Sequence, residues 1–184
     1  MIEIERKYII KSKKLFDNLV NKSFKRILIA QWYDYNERYR LVFDFKNKTW
    51  TKNSKIEISK EKRIEAEEEI NETEINFDNL SKRRVVVKER FFLNNDPEII
   101  IDNLFNLNNR INYLKPFEEI HYLLEIEQKN ISINNFNNEL LKITNSLTDI
   151  EEVTFLDGYN NAEFAGNTDL SPEEIIKKLE NWRS

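Results

Sequence analysis

Apolar and charged residues alternate in several stretches of this chain, beginning at its N-terminus. Glu3, Glu5 and Lys7 occupy alternate positions, while Ile2 and Ile4 lie before and between them. Successive side chains of a β-strand point to opposite faces, so this spacing puts two carboxylates and an ammonium group on one face. Three alternate charges are not typical of an amphipathic helix. The pattern therefore predicts a strand over residues 1–8.

The spacing of apolar residues divides the rest of the chain into further strands and helices. Strands are predicted over residues 25–41, 42–45, 49–51, 84–93, 110–117 and 119–128. Helices are predicted over residues 12–21, 134–147 and 171–183, with a short turn or helix over 76–81. Asp96-Pro97 is typical of a helix start, so residues 98–107 are predicted as another helix.

Residues 55–70 are compatible with either kind of element. The segment from Lys60 to Glu69 consists largely of strong helix formers. As a strand, however, the same segment has Arg63, Glu65 and Glu67 on one face. Because this arrangement recurs elsewhere in the chain, the pattern favours the strand.

Charged residues recur at alternate positions in five of the predicted strands. The five rows are Glu3/Glu5/Lys7, Arg38/Arg40, Arg63/Glu65/Glu67, Lys88/Arg90 and Glu125/Glu127. Any single row is explained by a strand whose polar face meets water. Solvated faces usually also carry Thr, Ser and Asn, whereas these rows contain only arginine, lysine and glutamate. If the sheet closes, the charged faces meet inside and must hold water, a charged ligand or metal ions, because unpaired buried charges are costly.

The composition excludes several kinds of site. Charged residues make up 34% of the chain, but the net charge is only -4, which argues against a nucleic-acid-binding surface. The absence of cysteine and the single histidine exclude thiolate and multi-histidine metal sites. With only two glycines, the chain has no glycine-rich phosphate loop, so side chains must bind any phosphate. No apolar run approaches the roughly 18 residues of a membrane helix, and no signal peptide is evident, so a cytoplasmic location is expected.

The residue types in the rows indicate the ligand. Arginine and lysine match phosphate oxygens, and arginine can bind them through two parallel hydrogen bonds. Glutamates without histidine or cysteine suit the hard cations Mg²⁺ and Mn²⁺. Together they are typical of a metal-bridged polyphosphate, the arrangement used in phosphoryl transfer.

The ordered rows resemble the CYTH family, also called triphosphate tunnel metalloenzymes. The family's Glu-x-Glu-x-Lys element is matched at residues 3–7, Arg-x-Arg at 38–40 after a Gln-x-Tyr at 31–33, and Arg-x-Glu-x-Glu at 63–67. Lys-x-Arg is matched at residues 88–90 and Glu-x-Glu at 125–127, with a looser counterpart of Thr-x-Lys at 49–52. One such element is weak evidence, but five in the right order are strong.

The resemblance implies an α+β fold over residues 1–184, an eight-stranded antiparallel β-barrel that forms a tunnel with helices packed outside. It implies that a triphosphate is gripped by Lys7, Arg38, Arg40, Arg63, Lys88 and Arg90. It implies that one or two Mg²⁺ or Mn²⁺ ions are held by Glu3, Glu5, Glu125 and Glu127, with Glu65 and Glu67 as further candidates. Lys52, with Tyr33, would orient or activate water, and Lys55 competes with Lys52 for this role.

The chain departs from the family in the region before Glu125. No clean match to the family's acidic element there is found, and Glu118, Glu119 and Asp102 are loose substitutes. The helix predicted over residues 98–107 would be an addition that narrows one tunnel mouth. His121 is expected to be a structural or tunnel-mouth residue.

Three functions are compatible with this sequence. The first is metal-dependent hydrolysis of inorganic tripolyphosphate or of a nucleoside or thiamine triphosphate. The second is a class IV type of adenylate cyclase, which makes cyclic AMP and pyrophosphate from ATP. The third is a protein that binds polyphosphate or nucleotide without turnover. The expected partner is thus a small triphosphate, without nucleic acid or membrane, and a homodimer is left open.

Overall fold

The computed structural model describes residues 2–33, 37–44, 47–59, 62–108, 110–112, 122–129, 136–144 and 146–183. The strands in these ranges are β1 (Ile2–Ile10), β2 (Lys25–Tyr33), β3 (Glu37–Phe43), β4 (Lys48–Ser59), β5 (Lys62–Ile70), β6 (Arg84–Asn95), β7 (Glu98–Phe105), β8 (Ile111–Asn112), β9 (Tyr122–Lys129), β10 (Ile150–Glu152) and β11 (Asn167–Thr168). The helices are α1 (Lys13–Val20), α2 (Phe77–Leu80), α3 (Phe136–Thr144), α4 (Asn161–Phe164) and α5 (Pro172–Arg183), with a 3₁₀-helix at Glu72–Glu74. The described chain is therefore of the α+β class.

Nine strands form one antiparallel sheet in the order β10-β1-β5-β4-β3-β2-β6-β7-β9. β1 also pairs with β9, from Glu3 opposite Lys129 to Ile9 opposite Leu123. The other edge of β1 is shared, since residues 2–4 pair with β5 and residues 8–10 pair with β10. The family resemblance implied an eight-stranded barrel, whereas the sheet in the described residues has nine strands, because the short β10 adds to β1.

Residues 98–105 form a strand, so the helix predicted over 98–107 is wrong. β7 pairs with β6 on one side and β9 on the other. Ile99 and Ile101 pack in an apolar cluster on one face, while Ile100 and Asp102 are buried on the opposite face. A strand buried on both faces shows no alternation of apolar and polar residues, and its apolar run is easily taken for a helix.

Residues 62–70 also form a strand, which excludes the helical alternative for this part of the chain. β5 pairs with β4 from Ile70 opposite Trp50 to Lys62 opposite Ser59. Pairing along this length outweighs the helix propensity of its glutamates. Of the strand predicted over 110–117, residues 113–117 lie outside the described ranges.

The apolar core lies between one face of the sheet and the helices. α5 contributes Ile175 and Leu179, which are buried in a cluster with Trp32 and Trp50. Ser171 and Glu174 begin this helix with reciprocal side-chain-to-backbone hydrogen bonds of 2.8 and 3.2 Å. No helix in the described ranges is both long and apolar enough to cross a membrane.

A second apolar cluster joins α1 and α3 to the neighbouring part of the sheet. Phe16, Leu19 and Leu140 from the helices are buried there with Tyr8 and Ile126 from the strands. Both clusters lie on the face of the sheet that packs against α1, α3 and α5. The opposite face is turned away from these helices. That opposite face carries the charged rows.

Candidate anion site on the charged face of the sheet

The face of the sheet opposite the helices is here called the charged face. In β6, Val85 and Val87 belong to the cluster beneath α5, so Lys88 and Arg90 lie on the other side of the strand. The strand register places Arg90 opposite Asp102 in β7 and Lys88 opposite Leu104, two positions away. The charged side chains described on this face include Glu5, Lys7, Arg38, Arg40, Glu67, Lys88, Arg90, Glu98, Asp102, Glu125 and Glu127.

Asp102 is the centre of a buried ion-pair network. Its carboxylate accepts hydrogen bonds from Lys88 Nζ at 2.5 Å and from Arg90 Nε and Nη2 at 2.7 and 2.8 Å. Arg90 Nη2 also lies 3.3 Å from Glu125 Oε2. Lys88 and Asp102 are both 0% exposed. Charges without access to water require such partners, so this network is a precondition for the fold as well as a candidate binding surface.

The pKa values of the two cations in the network are shifted in opposite directions. Burial, with Arg90 nearby, lowers the pKa of Lys88 to about 7, even though Asp102 opposes this shift. Burial also lowers the pKa of Arg90, but Asp102 and Glu125 together outweigh it and raise that pKa above its ordinary value. Arg90 is therefore a permanent cation, whereas Lys88 can gain or lose a proton near neutral pH.

Arg38 and Arg40 in β3 bring further positive charge to the same face. Arg38 is opposite Tyr33 and Arg40 is opposite Gln31 in the β2–β3 register. Burial and the guanidinium groups of Arg38 and Arg90 lower the pKa of Arg40 to about 10. Three arginines are therefore close enough to repel one another, an arrangement that a multiply charged anion would stabilise.

Gln31 holds Arg40 in position. With its amide oxygen facing Arg40, Gln31 accepts hydrogen bonds from Nε at 2.7 Å and Nη2 at 3.1 Å, and its nitrogen donates to the Tyr33 hydroxyl at 3.2 Å. Burial raises the pKa of Tyr33, although Arg38 and Arg40 oppose the shift. Tyr33 is thus protonated at neutral pH and can donate a hydrogen bond.

Glu67 in β5 is the carboxylate beside Arg40, at 3.4 Å from Nη1. Burial raises the pKa of Glu67. Arg40 and hydrogen bonds from Thr51 and Asn53 lower this pKa by more, so the net shift is downward. Glu67 is consequently ionised at neutral pH. Its side chain is 41% exposed, which leaves it accessible from solvent.

The β1–β9 pair carries the carboxylates expected to bind metal. Glu5 is opposite Glu127, and Lys7 is opposite Glu125. Lys7 Nζ lies 3.5 Å from Glu5 Oε2, and both side chains are largely buried. Among the described residues, no group of three or more acidic, histidine or cysteine side chains is close enough to hold a metal ion by itself. Mg²⁺, however, often uses only one or two protein carboxylates together with substrate phosphates, and this donor set fits that mode.

Lys52 lies on the face of β4 that is turned away from the charged face. It forms an ion pair with Glu37 at 2.7 Å, and its ammonium group is 5.7 Å from the ring centroid of Tyr39. Tyr39 packs against the cluster beneath α5. The hydrogen bond with Glu37 raises the pKa of Lys52, so this lysine is a stable cation on the helix-bearing face.

Comparisons with known proteins establish the fold and no more. No protein-family model matches the chain, and no curated protein matches its sequence. The fold is shared with solved structures. The PH1819 protein from Pyrococcus horikoshii OT3 has a TM-score of 0.52 and 20% identity over 81% of this chain and 93% of its own. The PH1012 protein from the same organism has a TM-score of 0.52 and 15% identity over 89% of this chain and 99% of its own.

A plant protein is similar to a lower degree. HpAC1 from Hippeastrum, a candidate adenylyl cyclase described as having a dominant triphosphatase activity, is 13% identical over 78% of this chain and 88% of its own. Its TM-score is 0.48. That similarity is too low to carry its activity over to this chain, because one fold serves many functions.

Several predicted site residues are described only in part. Glu3, Arg63 and Glu65 occupy strand positions, with Glu3 opposite Arg63, but their side chains lie outside the described part of the structure. The same is true of Lys55, which is opposite Glu65 in the β4–β5 register. Glu118, Glu119 and His121 lie outside the described residues altogether.

Two residues of the site were underrated or missed by sequence reasoning. Asp102 was only a loose substitute for an acidic element, because its segment was predicted to be a helix. A carboxylate directly after three isoleucines was the available signal, since a charge in an apolar run needs a buried partner. Asn161, whose Oδ1 accepts a hydrogen bond from Lys88 Nζ at 3.1 Å, gives no such signal in its surroundings.

An apolar cluster closes one end of the charged face. Val86, Leu104 and Leu123 each lie two positions along their strand from a charged residue, namely Lys88, Asp102 and Glu125, and are buried with Phe164 of α4. Asn161 is in the same short helix and contacts Lys88. The chain that follows β10 therefore covers this end of the charged face.

Proposed function

We propose that this protein is an enzyme that hydrolyses a triphosphate on the charged face, with Mg²⁺ or Mn²⁺ as cofactor. One observation carries the proposal: Arg38 and Arg90 lie close enough to Arg40 that their charges add to burial in lowering its pKa. Repulsion among clustered guanidinium groups costs free energy, and a bound anion would offset it. A chain of phosphates supplies the negative charge and the planar oxygen pairs that guanidinium groups recognise.

The proposal includes a tunnel of the CYTH type. It is supported by the pairing of β1 with both β5 and β9, which brings the first and last long strands of the sheet together. A sheet curled in this way would surround the triphosphate with the five charged rows. Water would be excluded from most of its length, and each electrostatic contact would be strengthened.

The residues would divide into two groups around the substrate. Arg38, Arg40, Lys88 and Arg90, with Lys7 and Arg63, would bind phosphate oxygens. Glu5 and Glu127, with Glu3 and Glu125, would hold the metal, and Glu65 and Glu67 would support it from β5. When bound, the metal would neutralise phosphate charge and lower the pKa of a coordinated water molecule.

The water-orienting lysine is reassigned in this proposal from Lys52 to Lys55. Lys52 pairs with Glu37 on the helix-bearing face, whereas Lys55 is two positions beyond the buried Asn53 and opposite Glu65. Tyr33, protonated and next to Gln31, is suited to orient the same water molecule by donating a hydrogen bond.

Product analysis tests the proposal directly. The protein is incubated with Mg²⁺ or Mn²⁺ and, separately, with inorganic tripolyphosphate, ATP and thiamine triphosphate, and the products are separated. Release of orthophosphate supports the triphosphatase. Cyclic AMP and pyrophosphate from ATP would instead identify a cyclase. Binding of a triphosphate without any product would leave a binding protein.

Arginine variants test the place of the reaction. We expect Arg40→Gln to lower the affinity for inorganic tripolyphosphate about 10- to 100-fold, because it removes charge-assisted hydrogen bonds. Arg26→Gln is the matched control. Arg26 lies in β2 and, like Arg40, has a carboxylate partner, in this case Glu89, but its side chain is 45% exposed. Equal effects of the two substitutions, measured by calorimetry, would show that the triphosphate binds elsewhere.

A further inference from the structure

Two phenylalanines and a lysine lie together beyond the cationic row of β6. Lys25 is opposite Phe92 in the β2–β6 register, and the backbone N–H of Phe24 donates to the carbonyl oxygen of Phe92 at 3.0 Å. The rings of Phe24 and Phe92 are 6.3 Å apart and inclined at 50°. Lys25 Nζ lies 5.3 Å from the Phe92 ring centroid. We call these three residues the rim cluster.

The rim cluster continues the charged face. Lys88, Arg90 and Phe92 occupy alternate positions of β6, so they share a face and follow one another at intervals of about 6.6 Å. Phe91, between Arg90 and Phe92, points the other way and packs edge-on against Phe16 of α1. The alternation thus assigns Phe92 to the side of the sheet that binds phosphate in the proposed function.

The rim cluster lies at the more exposed end of the β6 row. Val86, at the other end of the β6 row, is buried in the apolar cluster with Phe164. Phe24, by contrast, is 55% exposed, and Phe92 is only half-buried. A ligand that reaches Lys88 from solvent would have its outer end beside these two rings.

An exposed phenylalanine ring beside a half-buried one needs a reason. A single exposed apolar side chain is ordinary, but adjacent exposed aromatic rings commonly mark a binding surface. Flat aromatic ligands gain free energy by stacking on such rings, and every nucleobase has a suitable face. A cation beside the rings favours a neutral or electron-rich ligand ring over a positively charged one.

We propose that the rim cluster binds the base of a nucleoside triphosphate while its phosphates extend along Arg90 and Lys88. This inference rests on the proposed function and narrows its substrate class. Inorganic tripolyphosphate has no ring to stack, so it gains nothing from the cluster. Thiamine triphosphate carries a cationic thiazolium ring, which the ammonium group of Lys25 repels.

Binding measurements on full-length protein test the inference without requiring turnover. The dissociation constants of ATP, inorganic tripolyphosphate and thiamine triphosphate are measured by calorimetry for the unchanged protein, Phe24→Ala and Phe92→Leu. We expect each substitution to weaken ATP binding about tenfold, the typical effect of losing one stacking ring. The affinity for inorganic tripolyphosphate is expected to stay unchanged.

Two further variants make the result specific. Phe155→Ala removes a phenylalanine of similar exposure, 52%, whose ring contacts Arg6 on the helix-bearing side, and it is expected to change neither affinity. Lys25→Ala is expected to bring the affinity for thiamine triphosphate closer to that for ATP. Thermal melting of each variant checks that it is folded.

The outcomes distinguish a failure of this inference from a failure of the proposed function. If all triphosphates bind but Phe24→Ala and Phe92→Leu leave the preference for ATP unchanged, the rim cluster is not a base site while the triphosphate site stands. An equal loss for ATP and inorganic tripolyphosphate would also overturn the inference, since it would show a general structural effect. If no triphosphate binds, both the inference and the proposed function are wrong.

Discussion

Tyr8 carries a hydroxyl group into the apolar cluster beneath α1 and α3. It is 2% exposed, and its hydroxyl oxygen has no hydrogen-bond partner among the residues that the structure describes. Burial, aided by the charge of Glu152, raises the pKa of Tyr8 far above its ordinary value. The ring therefore contributes to packing, while the hydroxyl group costs free energy.

We expect Tyr8→Phe to leave the free energy of unfolding unchanged or to increase it by up to about 1 kcal/mol, because an unpaired polar group is removed. Tyr8→Ala, which also removes the ring, is expected to lower it by about 3–5 kcal/mol. Urea denaturation measures both. A clear loss of stability in Tyr8→Phe would show that the hydroxyl group has a partner.

Lys88 gives the protein a specific pH dependence. Its pKa is lowered to about 7 in the folded protein, whereas a lysine of an unfolded chain has a pKa of about 10.4. Between these values the unfolded chain binds a proton that the folded protein does not, so this group makes stability rise with pH. Below pH 7 both states are protonated, and the cost of the buried charge is fully present.

We therefore compare the unchanged protein with Lys88→Met, which keeps the length of the side chain without its charge. From about pH 7 to about pH 9, the free energy of unfolding is expected to increase more in the unchanged protein than in the variant. Urea denaturation at the two pH values measures the difference. Equal increases would mean that Lys88 stays protonated throughout this range.

At the scale of elements, β5 and β7 show what the sequence pattern can and cannot specify. Alternating charge in Arg63, Glu65 and Glu67 predicted β5 against its helix propensity, because period two is incompatible with a helix. β7 has no such alternation, since Ile100 and Ile101 are buried on opposite faces. Its identity depends on β6 and β9 on either side, and neither neighbour is apparent from the local sequence.

The same limit explains Lys52. Its immediate neighbours, Thr51 and Asn53, are polar, and only Trp50, two positions earlier on the same face, points to the helix-bearing side. The register with β3 decides the face, by placing Lys52 opposite Tyr39 and Asn53 opposite Arg38. Lys88, Arg90 and Glu125 lie on one face, as their alternation predicted, and Val87, Phe91, Leu124 and Ile126 beside them lie on the other.

β7 contributes the carboxylate that holds the buried cations together, which makes a test at this scale possible. We expect Asp102→Asn to lower the free energy of unfolding by about 3–5 kcal/mol, because Lys88 and Arg90 lose their shared anion. Added tripolyphosphate should then raise the melting temperature of the variant more than that of the unchanged protein, since the ligand replaces the missing charge.

Asp169→Asn is the control for this experiment. Asp169 also forms two short hydrogen bonds with an arginine, Arg110, but that pair is exposed to solvent. Its loss should cost less than about 1 kcal/mol. Urea denaturation measures the free energy of unfolding of both variants. A comparable loss of stability in the two would contradict the central position of Asp102.

At the scale of the whole molecule, the sheet is covered by helices on the face that carries the apolar residues. Ile175 and Leu179 of α5 and Phe16 and Leu19 of α1 belong to the two clusters there. Stability therefore comes chiefly from the helix-bearing face, and the charged face is left for a ligand. This division allows charge to be changed on one face while the core on the other remains intact.

The three partners of β1 also determine when it can form. Residues 2–10 pair with segments that begin at residues 62, 122 and 150, so β1 must wait until all three segments have been synthesised. At about 5–20 residues per second, this wait lasts on the order of ten seconds on the ribosome. During that time an isoleucine-rich strand lacks its neighbours, and contacts so distant in sequence also form slowly afterwards. Pulsed hydrogen exchange during refolding should find the amides of β1 protected after those of the β6–β7 hairpin.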